Sequence, residues 1–119
     1  MPFGYDDSQW SLAKDQAKVA IAARARVRGM IPYSDLVSEI EAIQFAPHDP
    51  RFFAFLGEIS EEEDREGRGM MSALVVHKQG DMQPGPGFFE LARKMGRDVS
   101  DILKCWVEEF KKVHSSWAK

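Results

Sequence analysis

The sequence predicts an α+β fold, a helix-dominated single domain with one small sheet. Apolar residues recur every three or four positions over most of the chain, which is typical of amphipathic helices. The stretch from Met70 to Lys78 is instead an apolar run with two adjacent β-branched valines, which favours a strand. A length of 119 residues, 44% of them apolar and 29% charged, fits one domain over residues 1–119.

The first helix is predicted to begin at Asp7 or Ser8, since either is a good N-cap, and to end at Gly29. One face of this helix is rich in alanine, so another element can approach it closely. The residues of that face are Trp10, Ala13, Ala17, Ala20 and Ile21.

The next segment, Met30 to Tyr33, is predicted to be extended, because Pro32 disfavours helical geometry in the residue before it. It is also the best candidate to pair with the strand at 70–78, since a lone strand would leave backbone groups without partners. A second helix is predicted from Ser34, as its N-cap, to Ile43.

Asp49 followed by Pro50 is a strong helix start, so a third helix is predicted from Asp49 to Glu66, with Gly67 as its stop. This helix is the most acidic element, with seven acidic and two basic residues between Asp49 and Gly67. Acidic residues at a helix C-terminus oppose the helix dipole. We therefore expect this end to have a role beyond stability, such as contact with a basic partner.

After the strand, the segment from Gly80 to Gly87 holds three glycines and two prolines, which prescribes a rigid turn. A short helix is predicted from Phe88 to Met95, with Gly96 as its stop. The last helix is predicted to start near Ser100 or Asp101 and to run to Trp117.

No recognised catalytic or metal-binding pattern stands out. His48, His77 and His114 lack the spacing that gathers zinc ligands, so no metal and no cofactor are expected. Cys105 lies beside the apolar stripe of the last helix and is expected to be a buried thiol. An enzyme would need Glu58 and Glu62, one helical turn apart, to meet His77 in a pocket. We expect the protein not to be an enzyme.

Four segments, at 31–36, 56–59, 67–78 and 84–92, read IPYSDL, LGEI, GRGMMSALVVHK and PGPGFFELA. Together they resemble a pattern in uncharacterised bacterial proteins, some of which occur beside restriction or mobile-element proteins. The order of elements resembles a winged helix, with a distant likeness to the winged-helix half of alkyltransferase-like DNA proteins. The Pro-Cys-His-Arg motif of the alkyl acceptor is missing, so that chemistry does not carry over.

The leading functional hypothesis is a small cytoplasmic, non-enzymatic domain that recognises a protein partner. An immunity or inhibitor protein that masks the basic site of a nuclease is one version. A single cysteine, a net charge of −3 and the lack of a long apolar run fit a cytoplasmic protein without membrane contact. The predicted partner-binding residues lie on the acidic helix and the turn: Glu58, Glu61, Glu62, Glu63, Asp64, Asp81, Met82 and Gln83.

The alternative hypothesis is a winged-helix module that binds nucleic acid in a restriction or mobile-element system. Phosphate contacts need lysine or arginine, and the acidic third helix would repel DNA. A basic surface elsewhere would therefore have to serve. Its candidate residues are Arg24, Arg26, Arg28, Arg68, His77 and Lys78.

Overall fold

The computed structural model describes residues 2–78 and 84–118. The predicted contact residues Asp81, Met82 and Gln83 lie outside these ranges. The described chain forms a helix-dominated α+β domain, as the sequence predicts. Its elements, in chain order, are a 3₁₀ turn (Pro2–Gly4), α1 (Asp7–Arg26), β1 (Ile31–Pro32), α2 (Tyr33–Glu39), α3 (Pro50–Arg65), a 3₁₀ turn (Met71–Leu74), β2 (Val75–Val76), α4 (Pro86–Lys94) and α5 (Ile102–Trp117).

Side-chain caps fix the starts of three helices. The Asp49 carboxylate accepts a hydrogen bond from the Arg51 amide at 2.9 Å, with Pro50 in the first turn of α3, as predicted. Asp101 caps α5 in the same way by accepting from the Lys104 amide at 3.1 Å. The cap of α1 is Asp6, one residue before the predicted Asp7 or Ser8.

Two predicted helix ends are wrong by several residues. Helix α1 ends at Arg26, and the left-handed residue after it is Arg28 (φ +57°) rather than Gly29. Helix α2 begins at Tyr33 without a side-chain cap and ends at Glu39, four residues before Ile43. The reason for the early end is Gln16 of α1, whose side-chain oxygen accepts from the amides of both residues 41 and 42 at 2.9 Å. These two amides are thereby satisfied outside a helix.

The predicted strand from Met70 to Lys78 is also wrong in its extent, since only Val75–Val76 is a strand. The residues before it form a 3₁₀ turn, because side chains satisfy the backbone groups that a sheet would have paired. Glu109 accepts from the Met70 amide at 3.3 Å, and Ser60 accepts from the Ser72 amide at 3.0 Å. The Trp106 indole donates to the Ala73 carbonyl at 2.8 Å.

The two strands pair in parallel, with Ile31 opposite Val75 and Pro32 opposite Val76. The predicted pairing of the Met30 to Tyr33 segment is therefore confirmed. The ladder cannot extend far, because Pro32 has no amide hydrogen to donate and α2 starts at the next residue.

The core has two parts. The larger lies between α1, α2 and α3, where the alanine face of α1 is fully buried, as predicted. The smaller lies between α4 and α5 and consists of Met70, Ala73, Phe88, Ala92 and Cys105. The 3₁₀ turn at Met71–Leu74 packs against α1, α3 and α5, so it joins the two parts. This arrangement holds α4 beside α3.

Candidate functional site

A pocket of about 420 Å³ opens between α3 and the start of α4. Its deep part consists of the buried residues Tyr33, Leu56, Ser72, Gly85 and Phe88, and its mouth consists of exposed residues. The mouth residues are Phe3, Phe53, Glu61, Pro86 and Gly87; the half-buried Ala54, Gly57, Glu58, His77 and Leu91 lie between. Most of the lining is apolar, as is usual for pockets that bind organic groups.

The wall at α4 is fixed by Tyr33. Its hydroxyl oxygen accepts a hydrogen bond from the Gly85 amide at 3.0 Å. Burial raises the pKa of Tyr33, and the bond from Gly85 opposes this shift without cancelling it. The phenol is therefore protonated at neutral pH and retains a hydrogen to donate. His77 lies against the same wall, with its ring centroid 5.2 Å from that of Tyr33.

A pair of serines supplies a second polar group to the pocket. The Ser60 hydroxyl donates to the Ser72 oxygen at 2.7 Å, and both residues are buried. Ser60 in turn accepts from the Ser72 amide at 3.0 Å. Of the two serines, Ser72 lines the pocket, so its hydroxyl is the one that a molecule in the pocket can reach.

Two of the predicted partner-binding carboxylates, Glu58 and Glu61, line this pocket. Glu58 is already engaged, since it accepts from the Trp10 indole at 2.9 Å and from the Lys14 ammonium at 3.3 Å. Glu61 is exposed and forms no hydrogen bond or ion pair with the described residues. Among the described residues, Glu58 is therefore paired with a cation and Glu61 is not.

The other three carboxylates predicted from α3 face away from the pocket and are ion-paired. Glu62 binds Lys14 at 2.5 Å and Lys18 at 2.9 Å. Burial raises the pKa of Glu62, but the hydrogen bonds from the two lysines outweigh it and leave the pKa lowered. The lysines are four residues apart on α1, and Glu58 and Glu62 are four apart on α3. This matched spacing is a sequence signal for the pairing of the two helices.

Glu63 is buried, Asp64 is half-buried, and both are ion-paired within the chain. Glu63 is 3% exposed and accepts two hydrogen bonds from the Arg68 guanidinium, at 2.7 and 2.8 Å. Asp64 accepts from Arg97 at 2.6 and 3.1 Å, and Arg97 also donates to the buried Glu109. The hydrogen bonds from Arg97 hold the pKa of Asp64 below its usual value.

The basic residues of the alternative hypothesis are distributed over separate places. Arg24 donates to the Met30 carbonyl at 3.1 Å and pairs with Glu39. Arg26 and Arg68 both lie over the Trp117 ring, 5.3 and 5.6 Å from its centroid. The remaining three are Arg28, which is exposed after α1, His77, which lines the pocket, and Lys78, which lies 3.7 Å from Asp35.

The three side chains that a catalytic site would need, Glu58, Glu62 and His77, do not all lie in one pocket. Glu58 and His77 line the same pocket, whereas Glu62 is held by the two lysines of α1. Cys105 is buried as predicted, and burial, with the nearby charge of Glu109, raises the pKa of its thiol. Within residues 2–78 and 84–118, no group of three His, Cys, Asp or Glu side chains is placed to hold a metal ion.

Sequence reasoning missed most of the pocket. From the sequence, Tyr33 is expected at the end of a connector, Phe88 at a helix start, and Phe53 on the buried face of the third helix with Phe52, Leu56 and Ile59. The expectation for Phe53 is wrong, since this residue is 43% exposed. The usable signal was the pattern of α3, where Phe52, Phe55, Leu56 and Ile59 complete the buried stripe and leave Phe53 outside it. One exposed apolar side chain is ordinary on a protein surface, but Phe53 and the exposed Phe3 line the same pocket and together form an apolar patch.

No helix among the described residues combines the length and the apolar character needed to cross a membrane. Comparison of the chain with protein-family models, with curated proteins and with solved structures finds no match in any of the three.

Proposed function

We propose that this protein is a non-enzymatic domain that recognises a protein partner, and that the pocket between α3 and α4 receives an apolar side chain of that partner. The observation that carries this proposal is that the two walls of the pocket are formed by the two segments in which the sequence predicts partner contact. One wall is α3, with Glu58 and Glu61, and the other is the proline-glycine segment at the start of α4. The sequence predicts partner contact for both of these segments.

The dimensions and chemistry of the pocket support an anchoring role. A volume of about 420 Å³ is large enough for an aromatic or large aliphatic side chain. Buried aromatic anchors in well-packed pockets contribute most of the affinity of many interfaces, and the polar surroundings add specificity. Here the Tyr33 and Ser72 hydroxyls are the polar groups in the deep part.

An immunity or inhibitor protein is the concrete version of this proposal. Such a protein masks its target by binding, so it needs complementarity and a rigid surface rather than catalytic groups. The ion pairs between α1 and α3, and the bond from Gly85 to Tyr33, hold both pocket walls in place. Rigidity of this kind reduces the entropy that binding would otherwise cost.

The test is selection of a random peptide display library on the purified protein. We expect enrichment of peptides that share one aromatic or large aliphatic residue, with binding that depends on the pocket. Ala54→Leu adds three heavy atoms to the half-buried α3 position that lines the pocket, and should reduce affinity at least about tenfold by occupying the anchor site.

The matched control is Ala23→Leu on the exposed side of α1, which makes the same chemical change away from the pocket and should leave affinity unchanged. Thermal unfolding of both variants establishes that each is folded. Failure to enrich any apolar motif, or equal binding by Ala54→Leu and the wild type, would refute the proposal.

The second candidate is the winged-helix nucleic-acid module, and one observation favours it. Arg26 and Arg68 both pack on Trp117, which places two cations around one aromatic ring. Aromatic and arginine side chains together suit contact with bases and phosphates. If this candidate is correct, the protein binds duplex DNA at low salt, and Arg26→Ala lowers the affinity for that DNA. The absence of binding at low salt would exclude this candidate.

A further inference from the structure

The mouth of the pocket carries one carboxylate, that of Glu61, which no described lining residue neutralises. Glu58 and Glu61 are one turn apart on α3, and no lysine or arginine is among the described residues that line the pocket. The ammonium of Lys14, on α1, donates hydrogen bonds to Glu58 and to Glu62, but Lys14 does not line the pocket. Glu61 is left without a partner among the described residues.

This imbalance differs from the rest of α3. Glu62, Glu63 and Asp64 are each bound to at least one lysine or arginine of the chain itself. Lysines and arginines of the chain thus neutralise these three carboxylates, whereas Glu61, at the mouth of an apolar pocket, has no such partner among the described residues. A free carboxylate beside an apolar site favours a ligand that combines an apolar group with a positive charge.

We propose that the partner segment places a large apolar residue in the pocket and an adjacent lysine or arginine against Glu61. This inference rests on the proposed function and names the chemistry of the partner: a basic segment with an apolar anchor. The aromatic mouth residues Phe3 and Phe53 add to the preference, since a guanidinium also packs on aromatic faces.

The experiment uses four blocked hexapeptides of the form Gly-Ser-X-Z-Ser-Gly, titrated into the isotopically labelled protein and followed by NMR. The X-Z pairs are Phe-Arg, Phe-Gln, Phe-Glu and Ala-Arg. We expect the Phe-Arg peptide to bind about three- to fivefold more tightly than Phe-Gln, the range that one solvent-accessible ion pair supplies. The Phe-Glu peptide should bind most weakly of the three that carry phenylalanine. Ala-Arg should not bind measurably, because the anchor is missing.

Substitutions of Glu61 test whether the preference among the peptides depends on the charge of this side chain. Glu61→Gln should remove the preference for Phe-Arg over Phe-Gln, and Glu61→Lys should invert the order so that Phe-Glu binds best. The matched control is Glu90→Gln, since Glu90 is an exposed carboxylate of α4 that does not line the pocket. It should preserve the wild-type order. Raising the salt concentration should reduce the difference between peptides, because salt screens an exposed pair.

The outcomes separate the two proposals. If Phe-Arg, Phe-Gln and Phe-Glu bind with equal affinity, and the Ala54→Leu variant binds none of them, the basic-segment inference is overturned. The proposal of an apolar anchor is then retained. Binding of none of the peptides, with no enrichment from the display library, overturns both. Inversion of the peptide order by Glu61→Lys supports the inference, because a merely destabilised variant would lose all peptides alike.

Discussion

The hydroxyl of Tyr33, at the start of α2, accepts a hydrogen bond from the amide of Gly85, 52 residues later, at the start of α4. This bond joins the β1–α2 segment to the proline-glycine segment and closes one wall of the pocket. A β-carbon at Gly85 would lie 3.4 Å from the His77 ring and 3.6 Å from the Tyr33 oxygen, so the three residues pack closely. The wall depends on contacts between distant parts of the chain.

Tyr33→Phe should lower the free energy of unfolding by about 1–3 kcal/mol, because it leaves the buried Gly85 amide without an acceptor. Chemical denaturation measures the change. Tyr5→Phe is the control, since the half-buried Tyr5 forms no hydrogen bond through its hydroxyl with the described residues, and it should change stability by less than about 0.5 kcal/mol. Equal stability of both variants would show that the bond does not contribute.

Arg97→Met should lower the free energy of unfolding by about 3 kcal/mol. Arg97 donates to Asp64 on α3 and to Glu109 on α5, and Glu109 is 7% exposed. Removal of the guanidinium leaves this buried carboxylate without its cation, which costs more than the loss of an exposed pair.

The control for Arg97 is Lys112→Met. The Lys112 ammonium lies 3.9 Å from Asp64 and its side chain is 46% exposed, so the change should cost less than about 1 kcal/mol. Urea denaturation of the two variants gives the comparison. A loss for Arg97→Met no larger than that for Lys112→Met would contradict the interior role of Arg97.

The stability of the wild type should fall on acidification because of Asp64. Hydrogen bonds from Arg97 lower the pKa of Asp64 in the folded protein, so the folded state binds that proton less tightly than the unfolded chain does. The contribution is therefore complete above about pH 3.9, the unfolded value, and is lost as the pH falls through the folded pKa.

Denaturation between about pH 2 and pH 6 measures this dependence. Asp64→Asn should be less stable near neutral pH and should show a shallower loss on acidification. Asp15→Asn, at an exposed site on α1, should keep the wild-type slope. An unchanged slope in Asp64→Asn would show that other carboxylates carry the acid dependence.

Arg28→Gly should raise the free energy of unfolding by about 0.5–1 kcal/mol. Arg28 has a φ of +57°, a left-handed conformation that a β-carbon disfavours and glycine adopts readily. Its side chain is exposed, so little packing is lost. Arg28→Ala removes the same charge but keeps the β-carbon, and should give no such gain. A rise in melting temperature for glycine alone identifies the backbone as the cause.

Local sequence signals predicted the elements well where the chain itself provides the stabilising groups. Asp49 and Pro50 start α3, and the glycines at 67 and 96, both with positive φ, follow α3 and α4. The pairing of the Met30 to Tyr33 segment with the strand region was also predictable, because a strand needs a partner. The α+β fold class follows from these features.

The strand was overextended because its length depends on distant side chains. Nothing near Met70 in the sequence indicates that Glu109, Ser60 and Trp106 will satisfy the backbone at 70–73. Within the segment 70–78, the β-branched residues are Val75 and Val76, and the strand is limited to these two residues. Tertiary hydrogen bonds thus replaced those of a sheet.

The acidic character of α3 was determined by the sequence, but the role of each carboxylate was decided by the tertiary structure. The sequence counts charges along one helix, whereas the helices packed beside it determine which are neutralised. Lysines of α1 bind Glu62, and Arg68 and Arg97 bind Glu63 and Asp64. Glu61 has no partner among the described residues and lies at the mouth of an apolar pocket, whose wall at α4 is fixed by a hydrogen bond between Tyr33 and Gly85, two residues far apart in the chain.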